Sequence, residues 1–125
     1  MSDPFSVPKR IQSFRYAIRG LVLVARTQHN SWIHAFASAL VVFAGFALRV
    51  SAGDWCWLVL AMMAVWASEA FNTALEQLAD AAVPETHPLI QGAKDAAAAA
   101  VLVSAIGAAL IGVLVLGPHL LHWIR

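Results

Sequence analysis

Apolar residues fill three long stretches of this chain, separated by short polar or proline-bearing segments. The first stretch, Trp32 to Val50, has His34 near its start and Arg49 at its end. A helix rises about 1.5 Å per residue, so this stretch just crosses a hydrocarbon core of about 30 Å. Ser51-Ala52-Gly53-Asp54 reads as a tight turn, with Asp54 capping the next helix. The second stretch opens on Trp55 and Trp57, where an interfacial aromatic belt belongs, and runs without a helix breaker to about Ala82. Val83 to Gln91, containing Pro84 and Pro88, reads as a loop. The third stretch follows Gly92-Ala93-Lys94-Asp95, is alanine-rich from Ala96 to Ala100, and should end or kink at Gly117-Pro118. Its small residues, among them Ala100, Ser104 and Gly107, permit close helix–helix approach. His119 to Arg125 reads as an interfacial tail.

Ahead of these lies a different pattern. Residues 1–8, with Pro4 and Pro8, form a lead-in. From Lys9 to Arg26, Arg15, Arg19 and Arg26 follow helical spacing, with Phe14, Ile18, Leu21 and Val22 on the other side. Basic residues beside an apolar face suit a helix lying in the headgroup layer. Thr27 to Ser31 is polar, and Asn30 or Ser31 is the expected cap of the first span. The expected fold is therefore an all-α membrane protein. It has one amphipathic interfacial helix and three transmembrane helices, at about 31–50, 55–82 and 93–117, in a single domain over 9–125.

Composition agrees. The 125 residues are 61% hydrophobic and 12% charged, against roughly 45–50% and 25% in soluble domains. Cys56 is the one cysteine, so no internal disulfide forms, and it reads as a small buried hydrophobe. No secretory signal peptide is evident. The net charge of +1 says little, but the placement of the charges says more. Lys9, Arg10, Arg15, Arg19, Arg26 and Lys94 fall on one side of the spans, and only Arg49 and Arg125 on the other. That bias puts the N-terminus and the 83–95 loop in the cytoplasm.

One segment of the second span is out of keeping with its surroundings. With Glu69 at zero on a helical wheel, Asn72 falls near 300°, Glu76 near 340° and Asp80 near 20°. Three acids and an amide thus share a stripe about 80° wide on an otherwise apolar helix. Acids at membrane depth are costly unless they have a partner or a task. By the charge bias, this stripe lies at the cytoplasmic end.

Several chemistries are excluded by missing motifs: there is no P-loop, kinase glycine loop, nucleophile elbow or His-Glu-x-x-His. What remains is a set of oxygen ligands and Lys94. Carboxylates with phosphate oxygens are the usual surroundings of Mg²⁺. Phosphoryl transfer needs a metal, a cation and a group to orient the attacking hydroxyl. Glu76 suits the metal, Lys94 the phosphates and Glu69 the hydroxyl. Glu69 lies about 10 Å deeper than Glu76, which suits a lipid hydroxyl below a nucleotide. Other readings stand beside these. Glu69 is alternatively a structural acid paired with Lys94. Glu76 and Asp80 are alternatively a solvated helix end, and Lys94-Asp95 plain helix capping. His34 reads as a packed interface histidine rather than a ligand, and His119 and His122 as interfacial residues without chemistry. The tryptophans read as anchors and packing groups.

The sequence Glu69-x-x-Asn72-Thr73-Ala74-Leu75-Glu76-x-x-x-Asp80, then His87 and Ala93-Lys94-Asp95-x-x-Ala98-x-Ala100-Val101-Leu102, resembles the small prokaryotic diacylglycerol kinase/undecaprenol kinase family. Ser13-Phe14-x-Tyr16-Ala17-x-x-Gly20-Leu21 does so too, and Asn30-x-x-Ile33-His34 is similar to the undecaprenol-kinase branch. The resemblance covers roughly residues 9–115. It implies a homotrimer in the bacterial inner membrane with cytoplasmic active sites between subunits. The donor is ATP with Mg²⁺, and the acceptor is a lipid primary alcohol: diacylglycerol by a narrow preference, undecaprenol as the alternative. By position, Glu69 matches the general base and Glu76 the metal carboxylate. Asn72 and Asp80 match polar residues of the same site. Glu85, Thr86, His87, Lys94 and Asp95 match nucleotide-binding segments. Tyr16 and the Lys9/Arg10 pair match N-terminal contacts, the basic pair on the lipid-substrate side. Two positions depart from the pattern. Gln28 stands where a second metal carboxylate is usual, and supplies at best a neutral oxygen. Ala98 replaces a serine of some members at the substrate site. The bilayer is an implied partner; nucleic acid is not. The competing expectations are a non-catalytic helical scaffold and, more weakly, an ion-conducting bundle.

Overall fold

In the computed structural model, residues 6–85 and 87–125 are described. They form four helices and no strand: α1 (Val7–Thr27), α2 (His29–Ala47), α3 (Ala52–Ala82) and α4 (Pro88–Trp123). The last three are long and apolar enough to cross a membrane. At about 1.5 Å per residue, α3 and α4 are several turns longer than a hydrocarbon core of about 30 Å requires.

Helix α1 starts at Val7, two residues before the expected Lys9, because Pro8 sits in the first turn, where its missing N–H costs nothing. Only Val24 of this helix is buried. Phe14, Ile18 and Leu21 are left uncovered by the rest of the chain, as suits an interfacial helix. Gln28 alone separates α1 from α2, with extended backbone (φ −101°, ψ 120°). It is the N-cap of α2, in place of the expected Asn30 or Ser31. Ser31 instead turns inward, its hydroxyl donating to the Val24 carbonyl at 3.1 Å.

The far end of α2 closes as a Schellman motif. The N–H of Arg49 donates to the Phe46 carbonyl, and that of Val50 to the Gly45 carbonyl. Arg49 occupies the left-handed region that this motif requires (φ 52°). The N-cap of α3 is Ser51, not the expected Asp54. Asp54 is the third residue of a capping box, accepting from the Ser51 N–H while Ser51 Oγ accepts from the Asp54 N–H. Trp55 then lies against Gly45, where an added Cβ would meet its ring at 2.7 Å.

Two expectations for α4 are corrected. It begins at Pro88 rather than near residue 93, since proline is favoured in the first turn and His87 caps it by accepting from the Leu89 N–H. It also continues through Gly117-Pro118 to Trp123, so the expected tail is helical. Membrane helices tolerate an internal proline when neighbouring groups satisfy the freed carbonyls.

Helices α3 and α4 pack along most of their length. The face of α3 turned inward carries Leu58, Ala61 and Val65, then Glu69, Asn72 and Thr73. The interior is therefore apolar toward the Ser51 end and polar toward the Asp80 end. Helix α2 meets α3 in antiparallel register through a few spaced contacts. These include His34 with Glu69, Ser38 with Trp66, and Gly45 and Phe46 with Trp55, and the α2 N-cap Gln28 adds a contact with Glu76.

Candidate active site

The helical period of α3 sets Glu69, Asn72 and Glu76 on one face, turned toward α2 and α4. On α4, Ala98, Val101, Leu102 and Ala105 repeat at the same spacing. Between them lies a cavity of about 270 Å³, closed on the third side by Gln28, Asn30, Ile33 and His34. An apolar cavity of about 410 Å³ adjoins it, sharing Ile33, His34 and Ala105 and continuing past Ser38, Val65 and Ala109.

Glu76 is the best-connected group in the polar cavity. Gln28 Nε2 donates to its Oε2 at 3.0 Å, and Asn72 Nδ2 donates to its Oε1 at 3.1 Å. The one-residue break before α2 is what brings Gln28 here. Three buried polar atoms in the cavity lack a hydrogen-bond partner among the described residues: Glu69 Oε1, Asn72 Oδ1 and His34 Nε2. Leaving such an atom unpaired costs about 1–3 kcal/mol, and more if it is charged. Their convergence on one cavity marks a place prepared for a ligand. Glu69 is deeply enclosed, with only 2% of its surface exposed, and its Oε1 lies 3.4 Å from His34 Nε2. Thr73, equally enclosed, is spent on its own helix, donating to the Glu69 carbonyl at 2.9 Å.

The oxygens fit a hard cation. Glu76 offers a carboxylate, Asn72 an unpartnered carbonyl, and Gln28 an amide that presents oxygen on a half-turn of its end group. Among the described residues no three His, Cys, Asp or Glu side chains form a metal cluster. A cation here needs further oxygens from a phosphorylated ligand.

The other sequence candidates fall in separate places. Lys94 is one turn before Ala98 on the same face of α4 and pairs with Asp80, Nζ to Oδ1 at 2.8 Å. This corrects the alternative that paired Lys94 with Glu69. The Asp80–Lys94 pair sits where both helices leave the cavity, on the side away from the apolar space. Asp95 accepts from Gln91 on the exposed surface of α4. Glu85 and His87 are exposed in the α3–α4 connection, His87 serving as a cap, and Thr86 lies outside the described residues. Tyr16, Lys9 and Arg10 are on the exposed part of α1 and do not line the cavity; the Tyr16 hydroxyl accepts from Gln12. Ala98 does line it.

His34 is the cavity residue that sequence reasoning undervalued. One signal for it was available: in antiparallel hairpins, a polar residue early in the first helix reaches the depth of one late in the second. His119, also read as idle, lies with Nε2 3.5 Å from Asp54 Oδ2 at the opposite end of the molecule.

Comparison with known proteins bears on this geometry. The sequence model of the family described as prokaryotic diacylglycerol kinase matches residues 15–116. The chain is 38% identical to the undecaprenol kinase of Bacillus subtilis over 109 residues, 87% of this chain and 89% of that protein. It is 40% identical to the diacylglycerol kinase of Synechocystis over 115 residues, 91% of this chain and 66% of that longer protein.

Proposed function

Since the chain belongs to the prokaryotic diacylglycerol kinase family and is a membrane lipid kinase, we propose that it transfers the γ-phosphoryl group of ATP to the primary alcohol of undecaprenol, with diacylglycerol as the second reading. One observation carries the reading: Glu69, Asn72 and Glu76 line one cavity that adjoins an apolar space, and Lys94 lies one turn before the lining residue Ala98 on α4, paired with Asp80.

The proposed reaction uses these positions as follows. The lipid lies with its chain in the apolar cavity and its hydroxyl at Glu69. The hydroxyl oxygen forms a bond to the γ-phosphorus as the bond from that phosphorus to the β–γ bridging oxygen breaks, and ADP takes the electron pair. The hydroxyl proton passes to Glu69. Glu76, Asn72 and Gln28 would hold Mg²⁺, which when bound would supply charge neutralisation to the phosphates. Lys94 leaves Asp80 to meet the phosphates, with Asp95, Glu85, Thr86 and His87 on the nucleotide side. Tyr16, Lys9 and Arg10 serve at the membrane surface.

Undecaprenol moves ahead of diacylglycerol for two reasons. Asn30, Ile33 and His34, the residues similar to that branch, line the cavity itself. The Bacillus subtilis relative also matches along nearly its whole length. The Synechocystis relative supports the second reading. We place the protein in the bacterial inner membrane with the cavity facing the cytoplasm, as a homotrimer. Phe71 and Leu78 are 78% and 69% exposed on the back of α3, and Phe36 and Phe43 on α2 are as open, so there are apolar faces for neighbouring copies.

Labelled ATP presented with each lipid in turn tests the acceptor. We expect kcat/KM to be higher for undecaprenol; a higher value for diacylglycerol reverses the order. A bare scaffold predicts no protection against heat by MgATP.

A further inference from the structure

The transfer described above leaves one buried polar atom of the cavity, His34 Nε2, without a task. His34 enters from α2, six residues after Gln28, and its Nε2 faces Glu69 Oε1 at 3.4 Å. Neither atom has a hydrogen-bond partner among the described residues, and both are buried. The approach is held on both sides. One step toward the Gln28 end, Gln28 bonds Glu76 at 3.0 Å. One step the other way, Trp66 Nε1 donates to Ser38 Oγ at 3.2 Å. These two bonds set the register of α2 against α3, so His34 meets Glu69 and no other acid. A slightly closer approach with the Nε2–H aimed at Oε1 makes the contact a hydrogen bond.

We propose that His34 is a positioning residue for Glu69. This rests on the reading of Glu69 as the group that takes the hydroxyl proton. Nε2 carries a hydrogen both in the neutral Nε2–H tautomer and in the imidazolium, and donates it to Oε1. That bond fixes the rotation of the carboxylate and leaves Oε2 turned to the lipid hydroxyl. It also supplies the donor that burial otherwise denies Oε1. An aliphatic residue at position 34 leaves the carboxylate free to rotate, and misplacement of a reacting group is costly in rate. His34 touches Glu69 rather than the reacting atoms, so its effect reaches the reaction only through that side chain.

The test compares His34→Leu, His34→Gln, Glu69→Gln and the Glu69→Gln/His34→Leu double variant of the full-length protein in one detergent–lipid mixture. For His34→Leu we expect kcat to fall about tenfold or more while KM for MgATP stays within about twofold. His34→Gln keeps an amide donor and recovers much of the loss. In the Glu69→Gln background, His34→Leu has no further effect, because the group it positions is gone. Two results overturn the proposal: His34→Leu with unchanged kcat, or the same fold-loss from His34→Leu in both backgrounds. If Glu69→Gln itself turns over at the ordinary rate, the base assignment falls and takes this one with it. If Glu69→Gln is inactive and His34→Leu is fully active, only the positioning role falls. Should His34→Leu fail to fold, His34→Met, which also lacks a donor, carries the same comparison.

Discussion

Gln28 donates to Glu76 across 3.0 Å, joining the break between α1 and α2 to the acidic face of α3. An amide thus fills the position where a second carboxylate would face the first. In the absence of metal this is the more stable choice, since two carboxylates at that distance repel.

Replacing Gln28 with Glu therefore has opposite effects with and without Mg²⁺. In chelator, we expect the melting temperature of Gln28→Glu to drop. With Mg²⁺ the second carboxylate becomes a ligand, and the metal concentration giving half-maximal activity falls several-fold. Activity titrated against Mg²⁺ at fixed ATP, alongside thermal melts, checks both. Unchanged metal dependence removes Gln28 from the metal site.

Lys94 and Asp80 form an exposed pair, and single substitutions separate its two readings. If Lys94 serves the phosphates, Lys94→Met raises KM for MgATP and lowers kcat by tenfold or more in total, about what loss of a charge-stabilising group costs. Asp80→Asn then changes the rate little, because an exposed pair stabilises weakly. Equal losses from the two substitutions make the pair structural.

Gly45 and Trp55 predict an effect on stability alone. A methyl group at position 45 meets the indole at 2.7 Å. Gly45→Ala should cost about 1–3 kcal/mol through overpacking. Trp55→Leu in the same chain relieves the clash. Thermal melts of the single and double variants measure this, while KM for MgATP, set at the other end of the molecule, stays unchanged.

How much of this was readable beforehand depends on the range of each interaction. The stripe from Glu69 to Asp80 is a property of one helix, and its period alone set those groups on one face, as α3 bears out. The three apolar helices were likewise legible from length and hydropathy. The ends were less so. Pro88 and Pro118 read as breakers, yet one starts α4 and the other lies within it, because proline costs little in a first turn and is tolerated in a membrane helix. Asp54 and Ser31 are capping residues by type. Ser51 took the first role, and Ser31 turned toward Val24. Pairings between helices were the least legible. Whether Lys94 meets Asp80 or Glu69, and whether His34 meets anything, depends on how α2, α3 and α4 slide against one another, which no local pattern encodes.

The central claim is that Glu69 takes the proton of a lipid hydroxyl while Glu76 and its neighbours hold the metal–nucleotide end. The most direct measurement is transfer of labelled γ-phosphate to lipid by purified Glu69→Gln, with MgATP binding followed in the same sample by thermal protection. We expect transfer to fall by at least about a hundredfold, with protection by MgATP as in the unaltered protein. Transfer at the ordinary rate contradicts the account.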